Sequence, residues 1–282
     1  MKKIIKWITI VAITVIVINC DKGDSIGPSQ INTEAPQLSS LDSWIKENFI
    51  SPYNIAIQYK WNENEVDLNR FLYPPTEENV QPLLEVVKAV WIDPYTQLGG
   101  EDFIKNISPR QFTLVGGFNF NQTGTITLGI AEAGTKITLF NVDQLDLTDL
   151  TLTRRYFKTI QHEYAHILNQ TKPYDPDYGQ VNPQNYTAQW FNRSIAEARE
   201  LGYITDYASS SDTEDFAEMV ATILTTSKTE FDAIVDGITS AEGKASIRTK
   251  EQFVVKYFSD EFNIDLYELQ ELVNQNTLDI VN

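Results

Sequence analysis

The sequence predicts an α+β fold, with a small sheet in the first half of the chain and a helical second half. Between Phe112 and Val142, the runs QFTLVGGFNF, GTITLGIA and KITLFNV are rich in β-branched and aromatic residues. They are separated by Asn-Gln-Thr-Gly and Glu-Ala-Gly-Thr turns. From about Leu150 the apolar spacing changes to the helical period and keeps it. Strands first and helices afterwards is the α+β order. A length of 282 residues with 42% hydrophobic content suits one large domain or two packed lobes. The expected division is residues 1–19 as a leader, 20–40 as a tether and 41–282 as the folded domain. Within that domain, 41–149 forms an α/β lobe and 150–282 a helical lobe.

Lys2, Lys3 and Lys6 precede an apolar run from Trp7 to Ile18, broken only by Thr9 and Thr14. That run is short for a membrane span and reads as a secretory signal. It ends in Val17-Ile18-Asn19-Cys20, which resembles the lipobox of bacterial lipoproteins, where cleavage exposes a cysteine for acylation. Asn19 departs from the small residue usual before that cysteine. Cys20 is the sole cysteine, so no internal disulfide is available. Lipid on Cys20 would anchor the protein to a membrane without a spanning helix. Residues 21–40 are polar with Gly and Pro, as a tether requires.

Folded structure is expected from Leu41, where Leu41, Trp44, Ile45 and Phe49 have helical spacing after Ser40 as a cap. NIAIQYKW alternates as a strand does. A helix over about Glu77 to Val90 places Val80, Leu83, Leu84, Val87 and Val90 on one side. After the β runs, helices are expected over 150–170, 188–201, 212–226, 228–236, 249–258 and 264–275. The formal charge is -17, and loss of the three leader lysines makes it -17 - 3 = -20. A nucleic-acid surface needs Lys and Arg to displace counterions, so nucleic acid is excluded as a partner.

The chemistry sits in His162-Glu163-Tyr164-Ala165-His166, an HExxH string containing the only two histidines of the chain. Two imidazoles four apart on a helix converge on one zinc, and the intervening glutamate can exchange a proton with water beside it. At 100° per residue, Phe157, Ile160, Tyr164, Ile167 and Leu168 form an apolar stripe. Arg155, Thr159, His162, His166 and Asn169 lie opposite. With no histidine left, the third ligand must be a carboxylate; Glu197, Glu200, Glu214 and Glu218 are the downstream candidates. EDFAE fits best, because Glu214 and Glu218 share a face with Ala217 and Ala221, small enough for close helix approach. Ser211-x-x-Glu214 is equally a capping box, which would use Glu214 on helix-start amides instead.

HEYAH, then Tyr207-Ala208, then EDFAE resembles the gluzincin metallopeptidases. More closely, the chain resembles the substrate import-associated zinc metallohydrolase lipoproteins found beside bacterial outer-membrane glycan-import systems. The likeness runs through LDSWI, PYNI, YKW, WIDPY and GTITLG…AGTKITLF, covering most of residues 41–226. It implies a zincin-like fold, a small mixed or antiparallel sheet plus an active-site helix and a helical C-terminal lobe. It implies one Zn2+ held by His162, His166 and Glu214, with Glu163 as general base and acid and Glu218 as a carboxylate behind the ligands. Tyr207 falls where related enzymes place an oxyanion-binding tyrosine, although a half-buried loop aromatic is an equal reading of the residue alone. The expected function is therefore hydrolysis of a peptide or other amide by a zinc-activated water. The expected location is the bacterial outer membrane or cell surface, beside import proteins. The alternative is an anchored binding or accessory lipoprotein with a structural zinc, in which Trp61, Tyr73 and Trp190 stack on sugars.

Overall fold

A computed structural model describes residues 37–122, 124–132 and 134–281. Cys20, the leader and most of the tether lie outside the described residues. Ser40–Asn282 forms one compact unit. The first helix among the described residues, α1 (Ser40–Ile45), runs through a π-turn into the short α2 (Ser51–Tyr53) and then strand β1 (Ala56–Gln58). After a long loop come α3 (Glu77–Val87), a second π-turn (Lys88–Ile92), α4 (Asp93–Gly99) and α5 (Phe103–Asn106). The strands are β2 (Gln111–Leu114), β3 (Asn119–Phe120), β4 (Ile126–Thr127), β5 (Gly129–Glu132) and β6 (Lys136–Leu139). The helical half comprises α6 (Leu150–Thr171), α7 (Ile195–Glu200), α8 (Asp212–Thr225), α9 (Lys228–Asp236), α10 (Ala241–Phe262) and α11 (Leu266–Val281).

The main sheet is mixed, in the order β1-β2-β6-β5. β1–β2 and β2–β6 are parallel, and β6–β5 is an antiparallel hairpin, which leaves β5 on the edge. The expected α+β class and small mixed sheet are what the structure has. QFTLVGGFNF is not one strand, however: it breaks after Leu114, and β3 pairs with β4 in a separate ribbon. The break falls at Gly116-Gly117, where a Cβ would sit 2.6 and 2.4 Å from ring atoms of Tyr73. The tyrosine ring lies flat on bare backbone there.

Phe112, Leu114, Ile137 and Leu139 turn to the core. They meet α6 through Trp91, whose ring centroid is 5.5 Å from Phe112 and 5.0 Å from Tyr164. Helical backbone does not end near Val90 but passes through the π-turn into α4, although Pro94 begins to remove donors there. Pro94 has no N–H for the carbonyls one turn earlier. Gln161 Nε2 donates to Val90 O (2.8 Å), and Asn276 Nδ2 donates to Ala89 O (2.6 Å). Gln161 also accepts from Tyr95 Oη at 3.0 Å, so the residue before His162 is clamped twice in the core.

In the second half, Ser194 and Glu197 form a reciprocal capping box, so α7 starts at Ile195 rather than near 188. The 188–194 stretch holds only one 3-10 turn, Trp190–Asn192. α10 starts eight residues before the expected 249, with Ser240 as its cap. Gly243 in its first turn hides the helical signal; a Cβ there would sit 2.5 Å from Glu200 O.

Candidate metal centre

Asp149 opens α6 by accepting from the amides of Thr151 and Leu152. The helix then runs for 22 residues with Phe157, Ile160, Tyr164 and Leu168 fully buried, the Tyr164 ring packing on Trp91 and Tyr95. α8 packs along the face that carries His162 and His166, and β5 approaches the same helix at Thr159 and Glu163. Ala217 and Ala221 of α8 are fully buried, and Glu214 and Glu218 reach α6 from the same helix.

His162 Nε2 lies 3.0 Å from Glu214 Oε2 and 3.2 Å from His166 Nε2. His166 Nε2 lies 3.3 Å from the same glutamate oxygen. Among the described residues, His162, His166 and Glu214 are the group whose donor atoms could hold a metal ion. Zinc bonded at 2.0–2.1 Å in a tetrahedron separates its donors by about 3.3–3.4 Å. Three mutual separations of 3.0–3.3 Å therefore fit one face of such a site. The donor set, two imidazoles and one carboxylate, is also what zinc takes in hydrolases, with a fourth position left open.

Ser211 Oγ accepts from the Glu214 amide at 3.3 Å, so half of the capping box exists. The Glu214 carboxylate does not return to Ser211; it goes to the imidazoles. Of the other candidates, Glu197 is used in the α7 capping box. Glu200 accepts from the amides of Thr239 and Ser240. Glu218 stands behind the cluster: Oε1 is 2.9 Å from His162 Nδ1. Its Oε2 takes the Lys158 ammonium at 2.7 Å and the Thr205 hydroxyl at 2.7 Å.

Glu163 is 6% exposed, and burial raises its pKa. The backbone amide of Ala131 in edge strand β5 acts against that rise by favouring the charged carboxylate. Gly129, two residues earlier, lies against Thr159 and Glu163 so closely that a Cβ would be 2.9 Å from Glu163 Oε1. The Tyr207 ring stacks on His162 at 5.8 Å and meets Trp190 edge-on at 4.8 Å. Burial, then Glu214, pushes the Tyr207 phenol up, so it stays a hydrogen-bond donor. Trp190 thus borders the site, while Tyr73 covers Gly116-Gly117.

The field of the site favours positive charge. Burial alone would lower His162, but Glu214 and Glu218 outweigh it and push the ring up to about 10. Glu214 is driven well below the ordinary carboxylate range by His162 and His166, against the opposing effect of burial. Glu218 follows it, also against burial, through Lys158 and His162. Anions that would hold an imidazolium also hold a divalent cation.

Lys158 and Thr205 are functional neighbours that the sequence did not single out. Lys158 had a signal, since it stands four residues before His162 on the same helical face. Thr205 and Gly129 had none, because both reach the site through tertiary approach.

The sheet, the motif helix on it and the carboxylate helix across it define a zinc-metallopeptidase fold with a His-His-Glu centre. Residues 34–267 match the model of a family described as "Putative zinc-binding metallo-peptidase", and the chain belongs to that family. It is also similar to a crystal structure titled as a putative zinc-binding metallo-peptidase from Bacteroides caccae ATCC 43185. The TM-score is 0.72 at 35% identity, over 86% of this chain and 95% of that one. Among curated proteins, none matches.

Proposed function

We propose that the protein is a zinc-dependent peptidase in which His162, His166 and Glu214 hold one metal ion. The observation that carries this reading is the convergence of those three donor atoms within 3.0–3.3 Å, with buried Glu163 beside them. A zinc ion held there supplies Lewis-acid polarisation of a carbonyl and of water at neutral pH.

The residues divide the remaining work. Glu163, its pKa raised by burial, takes a proton from the attacking water and delivers it to the amine nitrogen as the C–N bond breaks. Glu218, fixed by Lys158 and Thr205, orients His162 through Nδ1. Tyr207 donates its hydroxyl to the oxygen on which negative charge develops. β5 is the edge strand beside Glu163, and an extended peptide can pair with its free edge. Among the described residues the cluster has three protein donors rather than four, which supports an enzyme over a closed structural site.

Purified protein should carry about one zinc per chain, lost in His162→Ala. Glu163→Gln should keep the metal and lose cleavage of whichever peptide a library screen identifies. Full activity in that variant would overturn the mechanism.

The anchoring is part of the same proposal. Lys2, Lys3, Lys6, the apolar run and Cys20 support a lipid anchor at the outer membrane beside import proteins. Among the described residues, no helix is long and apolar enough to cross a membrane. Mass spectrometry of the mature N-terminus tests the anchor: an unacylated Cys20, or an uncleaved leader, would refute it.

A further inference from the structure

On α10, a helix that gives no atom to the His-His-Glu cluster, Lys250 is 0% exposed and its ammonium lies 2.5 Å from Asp215 Oδ2, also 0% exposed. Asp215 is the residue after Glu214. Neighbours on a helix point about 100° apart, so Glu214 turns toward α6 while Asp215 turns toward α10. The first turn of α8 is held from both sides. Tyr186 Oη adds a second hold on Asp215 Oδ2 at 2.9 Å.

The same ammonium reaches a second route into the site. It donates to Gly202 O at 2.9 Å and sits 4.1 Å from the centroid of the Tyr203 ring. Gly202 has φ +89°, and a Cβ there would lie 2.6 Å from Ser246 of α10. The chain is therefore pinned to α10 at this point. Three residues on is Thr205, whose hydroxyl holds Glu218, and two further is Tyr207, stacked on His162.

Burying two charges costs desolvation that an apolar pair of similar size would not incur. Packing alone gives no reason for this pair. Its contacts fix the register of the ligand helix and of the loop that braces His162. We infer that Lys250, with Asp215, is a positioning pair for the metal centre, setting Glu214 through α8 and Glu218 and Tyr207 through the 202–207 loop. This rests on the zinc reading above.

The test is zinc affinity of the folded full-length protein, by chelator competition at 25 °C, for wild type, Lys250→Met and Val273→Ala. Val273 is a buried α11 residue whose truncation also loosens the C-terminal helices. The expected result is at least a tenfold rise in zinc Kd for Lys250→Met, with Val273→Ala close to wild type. The sign separates positioning from charge. Removing Lys250 leaves Asp215 uncompensated near the site, and Coulomb attraction alone would tighten cation binding. An equal or tighter Kd in Lys250→Met overturns the inference, as does an equal loss in Val273→Ala. Should Lys250→Met not fold, Tyr186→Phe removes one hold on Asp215 without changing charge. Its expected Kd is several-fold weaker, and an unchanged Kd overturns the inference. A wild type that binds no zinc refutes the metal centre itself, a different outcome from any of these.

Discussion

Gly129→Ala adds one methyl group at the closest approach of the edge strand to the catalytic helix. The new Cβ would lie 2.5 Å from Thr159 Cγ2, 2.9 Å from Glu163 Oε1 and 3.0 Å from Glu163 Cγ. An ordinary carbon–carbon contact begins near 3.5 Å, so about 1 Å must be found. Thr159 cannot yield freely, because its hydroxyl donates to Arg155 O at 3.1 Å. Turning the methyl away breaks that bond. Part of the displacement therefore falls on β5 and part on Glu163. Overpacking of this kind costs about 1–3 kcal/mol of stability. At roughly 2–4 °C per kcal/mol for a chain of this size, the melting temperature should drop by several degrees. A misplacement of up to 1 Å at a proton-transfer group costs up to about 10²-fold in rate, or roughly 2.7 kcal/mol. Steady-state kinetics on a peptide cleaved by wild type should show kcat falling about 10- to 100-fold, with zinc content kept. Thr159→Ser removes the methyl that makes the 2.5 Å contact, so the double variant should recover most of the stability and only part of the rate. Wild-type kcat in Gly129→Ala would refute the placement of β5 against Glu163. Full rate recovery in the double variant would refute direct displacement of Glu163.

Glu218→Gln should weaken zinc binding about 10- to 100-fold, the usual cost of losing a ligand's outer partner, measured by competition with a chelator. Removing zinc with a chelator should lower the melting temperature; at a free zinc level 1,000 times Kd the lost stabilisation is about 4 kcal/mol, and an unmoved transition would contradict the site. Ser227→Ala deletes one half of the α9 capping box with Glu230 and should cost about 1 kcal/mol in urea unfolding. Glu230 is raised by burial, but the Arg154 side chain and the Ser227 amide outweigh this and hold it below its ordinary value. A depressed carboxylate stabilises the fold above its unfolded pKa near 4.5, and that stability is lost as pH falls through the folded value. Arg154→Met should therefore flatten the acid limb of the stability curve below about pH 4.5, and an unaltered limb would dismiss the pair.

The histidine half of the candidate site was legible because it is local. His162, Glu163 and His166 lie within five residues of one helix, so 3.6-residue periodicity alone puts both rings on one side. Glu214 was legible by elimination and by its alanine-flanked face, but its sequence was equally that of a capping box. Only packing separates the two, because α8 faces the imidazoles closely enough for the carboxylate to leave its own helix start. Helix boundaries were misread where local signals conflict with tertiary ones. The helix expected to end near Val90 runs on into the next one, and the Val90 and Ala89 carbonyls near Pro94 are taken by Gln161 and Asn276. Gly243 looks like a break but allows α7 and α10 to touch.

By itself the sequence determined the α+β order, the HExxH motif and the fact that any third donor beside the two histidines is a carboxylate. Each follows from periodicity or from the residue inventory, which are one-dimensional properties. The tertiary structure alone decided that Lys158 and Thr205 brace Glu218, that β5 runs beside Glu163, and that Lys250 ties α10 to the ligand helix. Those contacts join residues 13 to 60 positions apart. No spacing rule reaches that far; the chain must first bury its core, and the buried core then fixes which polar groups meet.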